Sequence, residues 1–175
     1  MVDDDRTNRM MLTYRLEING IDCAAAENGQ QALSMMRTDL FSVVLLDILM
    51  PGLDGYATLE IMKNDPALRD IPVIMISQLD EMDSVMRCLD LGAEDYLPKP
   101  LNSRLLMARL DGILLRNRLK QLEEDHQEQL DLLADSVTAA GKGLFDPASL
   151  KTVADRGDGF GELARTLISV AGKCF

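Results

Sequence analysis

The sequence predicts an α/β fold, a parallel sheet of five strands doubly wound by five helices, with a long helical extension behind it. Three observations predict it. Short apolar runs alternate with segments of helical spacing over residues 2–117, and such alternation builds βα units whose strands lie parallel. Two of the runs, Phe41 to Leu46 and the "PVIMIS" that begins at Pro72, are apolar without interruption, as strands covered on both faces are. Turn residues stand at the junctions, at Gly20, Asn28-Gly29, Pro51-Gly52, Gly92 and Lys99-Pro100.

The elements follow in order. Val2 is all of the first strand that precedes Asp3-Asp4-Asp5. Thr7 to Asn19 carries Met10, Met11, Tyr14 and Ile18 at helical spacing, and Gly20 is a natural stop. Ile21 to Ala26 is a second short strand. Asn28-Gly29 caps a helix over Gln30 to Arg37. Phe41 to Leu46 is the third strand, and it ends in an acid, Asp47. Beyond the Pro51 to Gly55 turn, Tyr56 to Lys63 returns to helical period. The fourth strand ends at Ser77. Asp83 to Leu91 is helical and stops at Gly92. "DYLP", residues 95–98, is the fifth strand, and Ser103 caps a long last helix.

Composition narrows the function. A net charge of -11 argues against nucleic acid as a direct partner, because phosphate contacts need a basic patch. Apolar residues make up 47% but aromatics only 4%, with no Trp and eleven Met. The core is therefore aliphatic and adaptable. Cys23, Cys88 and Cys174 form no metal-binding spacing, and reduced thiols in a cytoplasm are the simple reading. No stretch has the length of a membrane span, and no signal peptide is expected at the start.

In an open parallel sheet, ligands bind in the crevice beyond the carboxyl ends of the strands. Asp3 and Asp4 follow the first strand, Asp47 ends the third, Ser77 ends the fourth and Lys99 follows the fifth. Each alone has an ordinary reading as a cap, a turn residue or a solvated charge. As a set at corresponding strand ends they do not. Carboxylates about 4 Å apart repel by roughly 4 kcal/mol per pair at an effective dielectric near 20, so the cluster calls for a cation, a raised pKa or both. A shallow set of hard oxygen ligands suits Mg²⁺. The ion and Lys99 together would let a phosphoryl group sit on Asp47 as an acyl phosphate, with the Ser77 hydroxyl on another phosphoryl oxygen.

The segments "VDDD" (2–5), "LLDILMPGLDG" (45–55), "PVIMIS" (72–77) and "GAEDYLPKP" (92–100) resemble the receiver domain of two-component response regulators. The resemblance covers residues 2 to about 117 and implies the flavodoxin-like sheet order 2-1-3-4-5. It implies that Asp47 accepts a phosphoryl group from a histidine kinase or a histidine phosphotransfer protein. Asp4 and Asp47 would ligate Mg²⁺, Asp3 would help through water, and the backbone carbonyl of Leu49 would be a further ligand. Ser77 and Tyr96 would be the switch pair, and Lys99, set by a cis bond to Pro100, would hold the phosphoryl group. One departure is the first strand, truncated to Met1-Val2. As the central strand of that order, its loss removes ladder bonds on both sides.

Residues 118–140 continue the last helix as a coiled-coil signalling helix. Leu115, Leu119, Leu122, His126, Leu130, Leu133 and Val137 are spaced 4, 3, 4, 4, 3 and 4, a coiled-coil seam with one stutter. A parallel homodimer through residues 103–140 is expected, against the plainer reading of one helix packed back on the receiver. His126 reads as a packing residue rather than a catalytic one. Gly141 to Gly143 is expected to break the helix. Pro147 and Asp155-Arg156-Gly157-Asp158-Gly159 mark a connector before a helix over Phe160 to Val170. "DGFGELAR" resembles in part the HAMP relay module, and a helical pair that caps the coiled coil is the alternative for residues 141–175.

Three function classes follow. The favoured one is a phosphorylation-controlled switch with slow self-dephosphorylation and no other enzymatic activity. A small aspartyl-phosphate phosphatase of the haloacid-dehalogenase type expects a second Asp two residues after the nucleophile, where this chain has Leu49. A scaffold that binds partners without phosphorylation is the third.

Overall fold

The computed structural model describes residues 1–78, 82–141 and 146–171, without the side chains of residues 140, 141 and 171. Its elements are α1 (Arg6–Glu17), α2 (Gly29–Met36), β1 (Val44–Asp47), α3 (Gly55–Asn64), β2 (Val73–Ser77), α4 (Met82–Asp90), β3 (Asp95–Pro98), α5 (Ser103–Gly141), a 3-10 turn (Pro147–Leu150), α6 (Lys151–Ala154) and α7 (Gly159–Ala171). The chain divides into two compact units, Met1–Asn117 and Arg118–Phe175, and α5 contributes to both.

In the first unit β1, β2 and β3 form a parallel sheet in that order. Side chains alternate across a strand, so each strand feeds two cores. Val44, Leu46, Val73 and Met75 face the layer that holds Leu33, Leu59, Met62 and Cys88 of α2, α3 and α4. Leu45, Ile74, Ile76 and Leu97 face the other, with Leu12 and Leu16 of α1 and Leu106, Leu110 and Ile113 of α5. This is the doubly wound, flavodoxin-like arrangement with helices on both sides.

The sheet is shorter than the sequence suggests. Val2 forms single parallel bridges to Ala26 and to Leu46. The order 2-1-3-4-5 is therefore kept, but its first two positions are one residue wide among the described residues. The strand expected over Ile21 to Ala26 does not form a ladder, because its neighbour offers only Val2. Likewise β1 starts at Val44 rather than Phe41, which packs half-buried against the core. The cap of α5 also differs. The Asn102 side chain accepts from the backbone N–H groups of Arg104 (3.0 Å) and Leu105 (3.2 Å), and Ser103 is the first helical residue.

In the second unit α5 remains helical to Gly141, and residues 142–145 lie outside the described residues, so the expected Gly141 to Gly143 break falls mostly there. The expected connector instead contains the 3-10 turn and α6. These and α7 enclose a small core of Leu133, Leu150, Val153 and Ala164, with Phe160, Leu167 and Ile168 beside it. The turn between α6 and α7 is built by its own residues. The Asp158 carboxylate accepts from the backbone N–H of Gly161 (3.2 Å), and Arg165 Nη1 donates to the carbonyls of Ala154 (2.5 Å) and Arg156 (3.0 Å). A side chain at Gly161 would overlap the Arg156 carbonyl. The seam residues differ in exposure: Leu133 is buried, whereas Leu115, Leu119, Leu122, Leu130 and Val137 are each about half exposed. The His126 ring lies 5.5 Å from that of Phe160, a packing contact.

Candidate functional site

Backbone pairing delivers the site residues one by one. The Val2 N–H donates to Leu45 O (2.8 Å), and the Asp47 N–H returns a bond to Val2 O (2.9 Å). On the other side the Asp3 N–H donates to Ala26 O (3.3 Å) and the Ala26 N–H to Met1 O (2.9 Å). One residue of strand is thus fixed from both flanks, and that suffices to set Asp3 beside Asp47. Asp47 pairs in register with Ile76 and Ser77 with Pro98. The Lys99 N–H then donates to Ser77 O (2.7 Å), which carries the lysine past the end of β3 toward the acids. The Lys99-Pro100 bond is cis.

Lys99 Nζ lies 2.8 Å from Asp3 Oδ2 and 2.7 Å from Asp47 Oδ2. Both acids are buried, and the lysine side chain is 15% exposed. Asp3, Asp4 and Asp47 each offer a carboxylate oxygen within 4.8 Å of the others, with Asp4 at the exposed rim. Burial pushes the Asp47 carboxyl above its ordinary range, and the Asp3 charge adds to this; the Lys99 ammonium and the Leu49 backbone N–H oppose it without prevailing. For Lys99, burial pulls the other way, but the hydrogen bonds and charges of Asp3 and Asp47 together raise it. Ser77 is fully buried, and Tyr96 is half-buried against the core layer of α2, α3 and α4. Leu49 is exposed in the turn after β1.

Several supporting residues escaped the sequence reading. The third acid, Asp5, is the cap of α1 and accepts from the N–H groups of Thr7 (2.6 Å) and Asn8 (3.1 Å). Asn8 Nδ2 donates to both oxygens of Asp3 (3.3 and 3.2 Å), and Arg9 Nη1 to the carbonyls of Asp3 (2.7 Å) and Asp4 (2.9 Å). Their signal was the spacing, since both lie on the first turn after the acids. Gly55 lets the start of α3 close on the end of β1. A Cβ there would overlap the Asp47 carbonyl oxygen, and the Gly55 N–H donates to Ile48 O (2.9 Å). A cavity of about 570 Å³ opens beside Asp3 and Lys99, lined also by Asn8, Met11, Leu12 and Leu101.

The donor set fits a hard divalent cation. Three carboxylates converge, and one ammonium leaves the cluster two charges negative. Mg²⁺ takes such oxygens while keeping several waters. No described helix is long and apolar enough to cross a membrane.

A parallel doubly wound sheet with an acid triad and a lysine at its strand ends is a flavodoxin-like α/β domain with an acidic strand-end site. Comparison with known proteins gives the family: the response regulator receiver domain matches residues 1–111, and the chain belongs to it. It is similar to the response regulator PleD of Caulobacter vibrioides, 35% identical over 127 residues, 70% of this chain and 28% of that protein. The phosphate regulon transcriptional regulatory protein PhoB of Pseudomonas aeruginosa is 38% identical over 116 residues, 66% of this chain and 51% of that protein. The chain thus spans about half or less of these curated relatives. Among solved structures, a Francisella response regulator receiver domain superposes with a TM-score of 0.63 at 33% identity, covering 66% of this chain and 94% of that one. The receiver domain of a Syntrophus aciditrophicus histidine kinase gives 0.60 at 33%, covering 65% and 86%.

Proposed function

We propose that this receiver takes a phosphoryl group on Asp47 from a histidine kinase or a histidine phosphotransfer protein and relays its state through α5. The observation that carries the reading is the Asp47 carboxylate at the end of β1, 2.7 Å from Lys99 Nζ and within 4.8 Å of Asp3 and Asp4 oxygens. An Asp47 carboxylate oxygen attacks the phosphorus. The P–N bond to the donor imidazole breaks as the acyl O–P bond forms, and the imidazole leaves with the electron pair.

Asp4 and Asp47 would hold Mg²⁺ directly, with Asp3 through water and the Leu49 carbonyl as a further ligand. When bound, the ion neutralises phosphoryl oxygens and lets the dianion approach. Lys99 exchanges one of its carboxylate partners for a phosphoryl oxygen. Ser77 takes another, and Tyr96, at the edge of the same core, follows it. Two sets of contacts of this kind are what couples a ligand to a conformational equilibrium. The readout would be a parallel homodimer through residues 103–140, with no activity beyond slow self-dephosphorylation and a cytoplasmic setting. Residues 118–140 would be the signalling helix and residues 141–175 its capping segment.

Incubation with phosphoramidate and Mg²⁺ followed by intact-mass measurement tests the core of this. One phosphoryl group is expected on the native chain and none on Asp47→Asn. An Asn variant labelled to the native level would overturn the proposal.

A further inference from the structure

We infer that a second copy of α5 docks in parallel on the seam residues Leu115, Leu119 and Leu122, and that the α6–α7 hairpin stops its continuation at His126 and Leu133. The inference rests on the dimer reading above and adds to it a register and a control.

Two stripes share the C-terminal half of α5. The seam itself runs through Leu119, Leu122, His126, Leu130, Leu133 and Val137. A neighbouring stripe, Asp125, Gln129, Leu132 and Ser136, is spaced 4, 3 and 4 and carries the hairpin. Arg156 Nη1 reaches Asp125 Oδ2 (3.3 Å), Gln129 and Ser136 are buried, and Leu132 packs on the hairpin core. Leu133 lies on the seam yet is buried with Leu150, Val153 and Ala164. Phe160 packs at a tilt against His126, the seam residue two turns earlier. Helices pair at interaxial distances of 8–10 Å through just such side chains. A second helix and the hairpin therefore cannot both hold Leu133. Leu115, Leu119 and Leu122, before the hairpin, are 50–59% exposed; Leu130 and Val137 are exposed to the same degree, 51% each, so the hairpin blocks a second helix at His126 and Leu133 and not by covering the whole seam.

Charge selects the occupant. With Leu119 and Leu122 at the two core positions of a heptad, Arg118 and Glu123 fall on its flanks. In a parallel, in-register dimer each flanking residue meets the one five positions on in the other copy. Arg118 then faces Glu123 of the second chain, twice per dimer by symmetry. Both residues are exposed.

The cover is built to be released. The ion pair that joins it to α5 is exposed, with the Arg156 and Asp125 side chains 33% and 50% accessible, and such pairs stabilise little. The buried Gln129 Oε1 has no hydrogen-bond partner among the described residues, which penalises the closed arrangement.

Disulfide trapping of the full chain tests this, in a background with Cys23, Cys88 and Cys174 replaced. Leu119→Cys should cross-link between copies readily and Val137→Cys slowly. Opening the hairpin by Arg156→Glu, or by Ala164→Glu at a fully buried position, should speed the Val137→Cys cross-link at least about fivefold and leave Leu119→Cys unchanged. Arg118→Glu should slow the Leu119→Cys cross-link, and adding Glu123→Arg should restore it. If Leu119→Cys cross-links but neither opening variant accelerates Val137→Cys, the cover is refuted while the dimer stands. If the charge swap fails to restore, the parallel register is wrong. If Leu119→Cys yields no cross-link at tens of micromolar in any variant, the dimer reading falls and this inference with it.

Discussion

Replacing Lys99 by Ala removes the ammonium that lies 2.8 Å from Asp3 and 2.7 Å from Asp47. Both carboxylates are shielded, with side chains 0% and 6% exposed, so water does little to screen what remains. Their oxygens lie within 4.8 Å, and two unit charges at that distance repel by about 3.5 kcal/mol at an effective dielectric near 20. The alternative is to take up a proton. From an ordinary carboxyl pKa of 3.8, that costs about 4.4 kcal/mol at pH 7, and less for Asp47, which burial has already raised. The two routes are close, so the loss of stability is capped at about 3 to 4 kcal/mol, the size found when one partner of a buried pair is removed. About 3 kcal/mol corresponds to a fall of roughly 6 to 12 °C in Tm for a chain of this length. Thermal unfolding at pH 7 in EDTA should show this fall for Lys99→Ala, and millimolar Mg²⁺ should recover part of it by returning positive charge to the acids. A variant within about 1 kcal/mol of the native chain in EDTA would refute the coupling of these three groups.

Four further outcomes are expected. In urea unfolding without Mg²⁺, the raised Asp47 pKa means that the folded state holds the proton more tightly. Stability therefore falls as pH rises from near 3.8 through that raised value, and the difference between native chain and Asp47→Asn isolates this slope from the other acids. Lys99 adds a slope of the same sign in a far more alkaline window: its contribution is full below about 10.5 and is lost as pH rises through its raised pKa, so Lys99→Ala and native stabilities should converge at strongly alkaline pH. Asp4→Ala, at the exposed rim, should weaken Mg²⁺ binding in calorimetry with little change in Tm. Leu110→Ala, in the α1–α5 core, should cost about 2 to 4 kcal/mol, whereas Leu119→Ala, half exposed, should cost less than about 1 kcal/mol in the monomer by urea unfolding.

The elements that sequence made legible are those whose pattern is local. The uninterrupted apolar runs of β1 and β2, and stops such as Gly20 and Gly92, needed only neighbours a few residues away. Asp3, Asp4, Asp47 and Lys99 come together for another reason: strand ends of a parallel sheet share one edge, so acids from two distant stretches and a lysine from a third meet by topology. What was not legible depends on partners across the fold. Ile21 to Ala25 have strand composition but form no ladder, since the neighbouring chain supplies a single residue. Gly55 reads as part of a turn, and only the approach of α3 to the Asp47 backbone shows why no side chain is tolerated there. Leu133 and Leu130 are alike in the heptad pattern, yet one is buried by α6 and α7 and the other is not.

Charge arithmetic ties the site together. Asp3, Asp4 and Asp47 against Lys99 leave two negative charges at the mouth of the sheet, and Lys99 spends two short hydrogen bonds holding the buried pair. On the proposed function a divalent ion cancels the remainder, and phosphorylation exchanges the single charge of Asp47 for the two of the phosphoryl group, leaving the site one charge negative. The lysine is the group that must change partner between these states, because the one ammonium faces two carboxylates already. Asp3 is tied besides by Asn8 and by the Asp5 backbone N–H (2.8 Å), so it keeps donors when Lys99 turns away. Asp47 has fewer alternatives, and that is the acid whose charge a phosphoryl group would rebuild. The network is therefore asymmetric in the useful direction: Asp3 is anchored by the start of α1, while Asp47 depends on whatever cation stands opposite it.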